Sequence, residues 1–334
     1  MARIINTARK AALFGVLGGM VAASTLVNRI VPLRPALDAR RREFLGKRSC
    51  FLNYYVADEQ QGTPLVLIHG INAAASAYEM KPLFDYYRHQ RPVYALELPG
   101  FGYSERSERE YSPTLYAHAI QDFLEHLGVA CDVIALSLSS EFASYAAQQV
   151  PHLFRSLSLI SPTGFDLRLQ SQSDDEPFLR LTLPLAGSLV ELDQESLYRF
   201  LANPILSRLL FNLLTTEPSI RYFLAQSFKN KLDDGLAEYA WTTAHQEGAR
   251  HAPITFVSGK LFSRQIFKTY SSLNLPVLVL YDRDPNLNFD RLPELLEKHG
   301  NWRARRIPNT LGLPHFERLD KTAEALEAFW QDAV

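Results

Sequence analysis

Residues 133–141 read Val133-Ile134-Ala135-Leu136-Ser137-Leu138-Ser139-Ser140-Glu141 and mark a sharp change of periodicity. The run from Val133 to Leu136 is short and apolar, as in a buried strand, whereas the small and apolar residues at 142–147 favour a helix. Because so few residues join the two, a serine in the turn projects above the sheet edge, beside the N-terminal amides of the helix. Ser137 lies at the tip, between the small residues Ala135 and Ser139. The pattern predicts a tight turn that exposes Ser137.

Apolar segments of strand length alternate with amphipathic segments on both sides of this turn. We predict further strands near residues 50–56, 64–68, 92–98, 155–160, 276–281 and 303–307, and helices near 75–88, 116–127, 292–298 and 322–330. Strands alternating with helices at this spacing predict an α/β fold, with a mostly parallel sheet flanked by helices.

Between residues 165 and 262 the alternation stops. This stretch is rich in leucine, and Pro184, Pro204 and Pro218 divide it into short helical segments. We therefore predict an all-helical insertion at 165–262 that covers the substrate side of one α/β core, formed by residues 46–164 and 263–334.

Composition narrows the function. The chain has 334 residues, of which 47% are hydrophobic and 21% charged, so a large core is expected. Its formal net charge is -1, which does not suggest the excess of basic residues typical of nucleic-acid-binding proteins, so we expect no nucleic-acid partner. The chain has 2 cysteines, too few for a disulfide framework. No metal-ligand spacing of the CxxC or HExxH kind occurs, so no metal is expected.

The N-terminal residues 1–45 are interpreted separately, as an apolar segment followed by a basic linker. The segment from Ala11 to Val27 is almost uninterruptedly apolar or small, and about 17 such residues are the minimum for a membrane-spanning helix. We predict a single membrane anchor. A cleaved signal peptide with export, an organellar transit segment and a docking helix remain alternatives. Basic residues lie on both sides of the segment, so the topology stays open. More of them follow the segment than precede it, which favours a cytoplasmic catalytic domain by the positive-inside rule.

A serine becomes a nucleophile when a base removes its proton and an acid orients that base. In open parallel sheets, reactive groups gather beyond the carboxyl ends of the strands. Asp282 and Asp284 directly follow the predicted strand at 276–281, and His315 follows the one at 303–307. Serine, acid and histidine therefore occur in this order at successive strand ends. At this point both aspartates are candidates for the acid.

Further motifs join this set. His69-Gly70 follows an early strand, and Pro99-Gly100-Phe101-Gly102-Tyr103-Ser104 follows the next one. With these motifs and Ser137, Asp284 and His315 in order, the sequence resembles the α/β-hydrolase superfamily, in particular esterase- and lipase-like serine hydrolases with a helical cap. The resemblance covers about residues 50 to 332.

The resemblance implies roles for individual residues. Ser137 would be the nucleophile, His315 the general base and Asp284 the acid that orients it. The backbone amides of Ile71 and Leu138 would form the oxyanion hole. No cofactor or metal is implied. Ser139, Ser140 and His69 are interpreted as structural residues.

We expect hydrolysis of a carboxylic ester, thioester or lactone of a small, partly apolar molecule through an acyl-enzyme. An acyltransferase or a carbon–carbon bond hydrolase would use the same residues. The alternative from a different class is a non-catalytic protein that binds a ligand or partner, because the sequence departs from the family pattern: Ala135 and Ser139 replace the usual glycines, and Tyr281, Pro314 and Glu97 also depart from common residues. Since serine, acid and histidine are all retained, we expect an active enzyme.

Overall fold

The computed structural model describes residues 31–166, 181–185, 188–192, 194–284 and 287–332. The strands are β1 (Arg40–Leu45), β2 (Phe51–Ala57), β3 (Leu65–Ile68), β4 (Val93–Glu97), β5 (Cys131–Leu136), β6 (Phe154–Ile160), β7 (Leu181–Leu185), β8 (Ser188–Leu192), β9 (Val277–Tyr281) and β10 (Trp302–Arg306). The α-helices are α1 (Lys81–Tyr87), α2 (Pro113–Leu127), α3 (Ser139–Gln149), α4 (Gln194–Ala202), α5 (Pro204–Leu214), α6 (Glu217–Ala225), α7 (Asp234–Ala244), α8 (His251–Val257), α9 (Ile266–Ser271), α10 (Leu292–Lys298), α11 (Pro314–Glu317) and α12 (Leu319–Asp332). Short 3₁₀ helices span Ala77–Met80 and Pro151–Leu153.

The main sheet has 8 strands in the order β1-β2-β4-β3-β5-β6-β9-β10. β2 runs antiparallel to both β1 and β4, and the other neighbours pair in parallel. This confirms the predicted mostly parallel sheet. Strand β5 lies between β3 and β6, where Ile134 pairs with Leu67 on one side and Ser158 on the other. The turn at Ser137 therefore lies near the middle of the carboxyl edge.

Alternate residues of each central strand bury on opposite faces of the sheet, as the period of a strand requires. In β5, Val133 and Ala135 belong to the apolar cluster that includes Phe123 of α2. Ile134 and Leu136 belong to the cluster that includes Phe84 of α1 and helix α12. Burial on both faces explains why these strands read as continuous apolar runs.

Residues 40–45 form the edge strand β1, where the sequence had predicted a basic linker. The side chains of this strand are largely exposed, and three consecutive arginines begin it. Charge on an edge strand blocks further strand pairing, so a basic stretch is compatible with this position. The core of the protein accordingly begins before residue 46.

The inserted region contains strands as well as helices, so the prediction of an all-helical cap is wrong. β7 and β8 pair antiparallel, with Leu183 opposite Val190. Leucines at 181, 183 and 185 alternate with other residues, a period of two that favours a strand over a helix. Helices α4 to α8 follow the hairpin.

The predicted N-terminal anchor, Ala11 to Val27, lies outside the described residues. In the parts of the chain that are described, no helix is long and apolar enough to cross a membrane.

The cap rests on the loops that leave the carboxyl edge of the sheet. Tyr239 of α7 stacks on Tyr78, with ring centroids 5.5 Å apart. Arg106 reaches from the loop after β4 and donates hydrogen bonds of 2.8 Å to both the carbonyl and the hydroxyl of Thr243. Helix α7 is thereby held over the loops after β3 and β4.

A buried carboxylate ties the helix behind Ser137 to its surroundings. Glu141 of α3 is 1% exposed and accepts hydrogen bonds from the Thr163 hydroxyl and from the backbone N–H of Ser263. Burial raises the pKa of Glu141 to about 8, against the opposing effect of these two hydrogen bonds. The contact connects α3 to the end of β6 and to the segment that leaves the cap.

We expect Glu141 to make stability depend on pH. Because its pKa is higher in the folded protein than the ordinary 4.5, the folded state holds this proton more tightly and loses stability as the pH rises through the interval up to about 8. The wild type should therefore lose stability relative to Glu141→Gln between about pH 5 and pH 8, by at most about 1.4 kcal/mol per pH unit. Urea unfolding of both proteins across this interval measures the difference.

Glu297→Gln, which removes an exposed carboxylate, is the matched control: an equal trend in this variant would show that the effect does not arise at Glu141. Loss of one hydrogen bond in Glu141→Gln adds only a pH-independent offset. A stability difference that stays constant across the interval would contradict the expected linkage.

Candidate active site

The turn between β5 and α3 holds Ser137 in a strained backbone conformation. Its φ is 54°, in the left-handed region that side chains other than glycine rarely adopt. Its N–H donates a 2.8 Å hydrogen bond to the carbonyl of Ile160 on the neighbouring strand. Such strain costs about 1–3 kcal/mol and persists where the surrounding structure imposes it, often at functional sites.

The two neighbouring serines have hydroxyls that are already used inside the fold. Ser139 and Ser140 are fully buried. The Ser139 hydroxyl donates to the carbonyl of His69 at 2.6 Å, and that of Ser140 donates to the carbonyl of Ala135 at 3.3 Å. Ser137 is only partly buried, and its hydroxyl makes no hydrogen bond within the described residues. Of the three serines, Ser137 alone has a hydroxyl without a partner in the described part of the chain.

A cavity of about 300 Å³ opens above Ser137. It contains four of the five predicted site residues, all except His315. Its lining combines apolar side chains with a few polar ones: Gly70, Ile71, Asn72, Glu79, Leu136, Ser137, Leu138, Ser161, Thr163, Leu224, Ser227, Phe256, Phe262, Asp284, Leu287, Gly312 and Leu313. Leu224, Ser227 and Phe256 come from the cap, so the cap closes one side of the cavity.

The two predicted oxyanion donors have the free amides that the role needs. The backbone N–H groups of Ile71 and Leu138 have no acceptor in the part of the chain that the structure describes. Leu138 precedes α3, and the first N–H groups of a helix lack intrahelical partners. The neighbouring Gly70 N–H, in contrast, donates to Glu79. Unpaired amides at a cavity wall are suited to a developing negative oxygen.

The geometry separates the two candidate aspartates. Asp282 is 7% exposed and accepts hydrogen bonds from the Arg306 guanidinium at 2.6 Å and from the Thr310 N–H at 3.1 Å. It therefore connects the end of β9 to the end of β10 and to the loop that follows β10. Asp284 lines the cavity. A β-carbon on Gly312 would lie 2.9 Å from the Asp284 carboxylate, so the glycine leaves room for that carboxylate.

His315 lies in α11 and is fully buried next to the cavity wall. Its Nε2 donates to the carbonyl of Glu79 at 2.6 Å, and its Nδ1 has no partner within the described residues. Burial lowers its pKa to about 4, against the effect of the Glu79 hydrogen bond, so the ring is neutral at pH 7. In this orientation neither ring nitrogen bonds to Ser137 or Asp284. The three residues are gathered at one edge but do not form a hydrogen-bonded triad.

His69 is a structural residue, as the sequence had predicted. Its Nδ1–H donates to the carbonyl of Gly70 at 2.7 Å, and its Nε2 accepts the N–H of Leu98 at 3.0 Å. Both ring nitrogens therefore join the loop after β3 to the end of β4. Burial lowers the pKa of His69 to about 4, which keeps the ring neutral.

Two cavity residues were missed by sequence reasoning. Ser161 is 2% exposed with a φ of 45°, and its position just after a buried strand was a usable signal. Glu79 is 4% exposed, although it follows a loop in a stretch that reads as an ordinary helix start. No sequence feature marks Glu79 as buried. Within the described residues, no group of histidine, cysteine and carboxylate side chains could hold a metal ion.

Known proteins give a consistent comparison. The uncharacterized hydrolase YugF of Bacillus subtilis (strain 168) is 32% identical over 103 residues, which cover 30% of this chain and only 37% of that relative. A solved structure described as a membrane phospholipase A superposes with a TM-score of 0.62 at 18% identity, covering 99% of this chain and 96% of the other. The 2-hydroxy-6-oxo-6-phenylhexa-2,4-dienoate hydrolase of Rhodococcus sp. strain RHA1 superposes with a TM-score of 0.65 at 16% identity, covering 88% of this chain and 99% of the other.

At these identities the two solved structures support the fold and leave the substrate open. The sequence itself matches the alpha/beta hydrolase family over residues 65–325, from the first strand of the parallel sheet into the last helix. This match spans most of the chain and contains the turn at Ser137, the cap and His315. The protein therefore belongs to the alpha/beta hydrolase family.

Proposed function

We propose that the protein is a serine hydrolase that cleaves a small, neutral, partly apolar carboxylic ester through an acyl-enzyme. The observation that supports this most directly is the strained Ser137, whose hydroxyl shares a cavity with the amides of Ile71 and Leu138, and none of these groups has a hydrogen-bond partner among the described residues. A nucleophile and two oxyanion donors in one cavity are the parts that acyl transfer requires.

The proposed reaction begins with a movement of the base. His315 turns about its Cβ–Cγ bond, so that Nε2 leaves the Glu79 carbonyl and faces Ser137, while Nδ1 faces Asp284. Because Nε2 carries the ring proton in the resting orientation, the ring changes tautomer by exchange with solvent: Nε2 gives up that proton, and Nδ1 takes one and donates it in a hydrogen bond to Asp284. The Ser137 oxygen then attacks the ester carbonyl and His315 takes its proton.

The tetrahedral oxyanion is stabilised by the amides of Ile71 and Leu138, each typically contributing about 3 kcal/mol. The alcohol leaves with the proton from His315. His315 then deprotonates a water molecule, which attacks the carbonyl of the acyl-enzyme. The second tetrahedral intermediate collapses, releasing the acid, and His315 returns the proton to the Ser137 oxygen.

The cavity favours a neutral substrate. Its described lining includes the carboxyl groups of Glu79 and Asp284 and neither lysine nor arginine. Such a lining offers an anionic substrate no cationic side chain among the described residues, which argues against a substrate like the dienoate in the name of the Rhodococcus hydrolase. Thioesters and lactones remain within the proposed chemistry, since the acyl-enzyme is the same.

Size gives a second limit. The cavity of about 300 Å³ is at the low end for ligand sites. At roughly 30 Å³ per water-sized group, it accommodates on the order of ten heavy atoms. We therefore propose a short acyl chain, bound against Leu224, Phe256 and Phe262.

Labelling with a fluorophosphonate tests the nucleophile. The wild type should label at Ser137, because the reagent phosphonylates activated serines, and Ser137→Ala should not label. His315→Ala should label at least about 100-fold more slowly, the lower range for losing general-base assistance. Mass spectrometry of the labelled peptide and time courses measure both effects.

Two variants control this experiment. Ser161→Ala removes the other strained serine of the cavity and should still label. Asp284→Asn should slow labelling, whereas Asp282→Asn, if folded by circular dichroism, should not. Folded wild-type protein that fails to label would overturn the hydrolase proposal and favour a protein that only binds a ligand.

Acyl-chain preference tests the proposed substrate size. With p-nitrophenyl esters, kcat/KM should be highest for acyl chains of about two to six carbons and at least about tenfold lower at twelve, since overfilling a packed site costs about 1–3 kcal/mol. Phe262→Ala should shift the optimum to longer chains. Phe267→Ala removes a phenylalanine outside the cavity lining, so it should leave the optimum unchanged. A wild-type optimum at twelve or more carbons would contradict the assignment.

We also propose that the N-terminal segment, Ala11 to Val27, anchors the enzyme to a membrane. The support is its apolar sequence, and a solved structure of the same fold is described as a membrane phospholipase A. The full chain should sediment with membranes and resist carbonate extraction, whereas a chain of residues 31–334 should remain in the supernatant. The mass of the mature protein shows whether the segment is cleaved, and a cleaved N-terminus would contradict the anchor and support a signal peptide.

A further inference from the structure

Glu79 is a buried carboxylate in the same cavity as Ser137, and the proposed reaction does not yet use its side chain. It lies in the 3₁₀ helix Ala77–Met80 and is 4% exposed. Within the described residues it forms no ion pair. A buried carboxylate without a counter-ion is costly unless hydrogen bonds replace its water, so its partners show what it does.

The carboxylate holds the loop that carries one oxyanion donor. One oxygen of Glu79 accepts the backbone N–H of Gly70 at 2.8 Å, and the other accepts the side-chain amide of Asn72 at 2.6 Å. Asn72 in turn accepts the N–H of Ala74 at 2.8 Å. Ile71 lies between the two anchored residues, so its free N–H is held from both sides.

The main chain of the same residue holds the base. The carbonyl of Glu79 accepts the Nε2–H of His315 at 2.6 Å. On the side-chain face of the same residue, a β-carbon at Gly70 would lie 3.2 Å from the Glu79 carboxylate, a tight contact that glycine avoids. One turn of 3₁₀ helix thus contacts both the oxyanion loop and the general base.

We propose that Glu79 is a positioning residue of the hydrolase: its carboxylate fixes the Gly70–Asn72 loop so that the Ile71 N–H meets the oxyanion, and its carbonyl holds His315 between turnovers. This inference rests on the proposed function. An oxyanion donor acts when the negative oxygen forms, and errors of well under 1 Å weaken it. Loss of Glu79 should therefore lower kcat and leave KM nearly unchanged.

The test compares wild type, Glu79→Gln and Glu79→Leu with p-nitrophenyl butyrate. Glutamine can satisfy only one of the two donors, because its NH₂ group faces the other, and leucine satisfies neither. We expect kcat to decrease from wild type to Glu79→Gln to Glu79→Leu, with a loss of at least about tenfold in Glu79→Leu. This loss should be smaller than the roughly 100- to 1000-fold loss that follows removal of a whole oxyanion donor, because the Ile71 N–H is still present. KM should change by less than about twofold. The Ki of a trifluoromethyl ketone, which forms an oxyanion on Ser137, should rise in parallel with the loss in kcat.

Glu97→Gln is the matched control. Glu97 is also a fully buried carboxyl group and accepts one side-chain amide, from Asn53 at 3.0 Å, and one backbone N–H, from Tyr103 at 2.7 Å, but it does not line the cavity. The control should lose stability without losing kcat. An equal fall in kcat in Glu97→Gln would show a general loss of structure and overturn the inference.

Asn72→Ala provides a second variant in case the Glu79 variants do not fold. It removes one of the two anchors of Ile71 and should lower kcat by a smaller factor at similar KM. If the wild type labels and hydrolyses but kcat is unchanged in folded Glu79→Leu or in Asn72→Ala, the inference about Glu79 is overturned and the proposed hydrolase function stands. Wild type that neither labels nor hydrolyses overturns the proposed function and this inference together.

Discussion

The strained turn at Ser137 is the constraint on which the rest of the structure depends. A left-handed serine between β5 and α3 is maintained only if both elements are held rigidly. The sheet does this on one side, where the Ser137 N–H donates to Ile160. Glu141 does it on the other, by tying α3 to Thr163 and Ser263. The energy stored in one dihedral angle is thus balanced by burial and hydrogen bonding on both sides.

Buried carboxyl groups recur where loops leave the carboxyl edge of the sheet. Each of three buried glutamates, Glu79, Glu97 and Glu141, accepts one hydrogen bond from a backbone N–H and one from a side chain. Burial raises the pKa of each above its ordinary value. Loops at this edge have few backbone partners of their own, because the strands have ended. A carboxylate that accepts two bonds connects such loops in a way that apolar packing does not. Buried carboxyl groups therefore add polar contacts to the apolar packing that holds the edge with the reactive groups.

Much of the fold could be predicted from the sequence because its strands are apolar on both faces and its helices are amphipathic. The errors occurred where side-chain patterns do not decide the pairing. Arg40 to Leu45 reads as a linker, and becomes a strand because β2 offers an open edge. The stretch from Leu181 to Leu185 was predicted to be helical from its leucine content, although its period of two favours a strand, and it pairs with β8. Strand pairing is a relation between distant segments, and local composition reports it poorly.

The order of Ser137, Asp284 and His315 at strand ends follows from the sequence alone, since parallel strands bring their carboxyl ends to one edge. Tertiary structure decided what each group touches. It set Asp282 against Arg306, turned His315 to the Glu79 carbonyl, and buried Glu79 beside the cavity. A linear pattern places residues on elements to within a turn, whereas hydrogen bonds depend on ångström distances between segments far apart in the chain, which only packing determines.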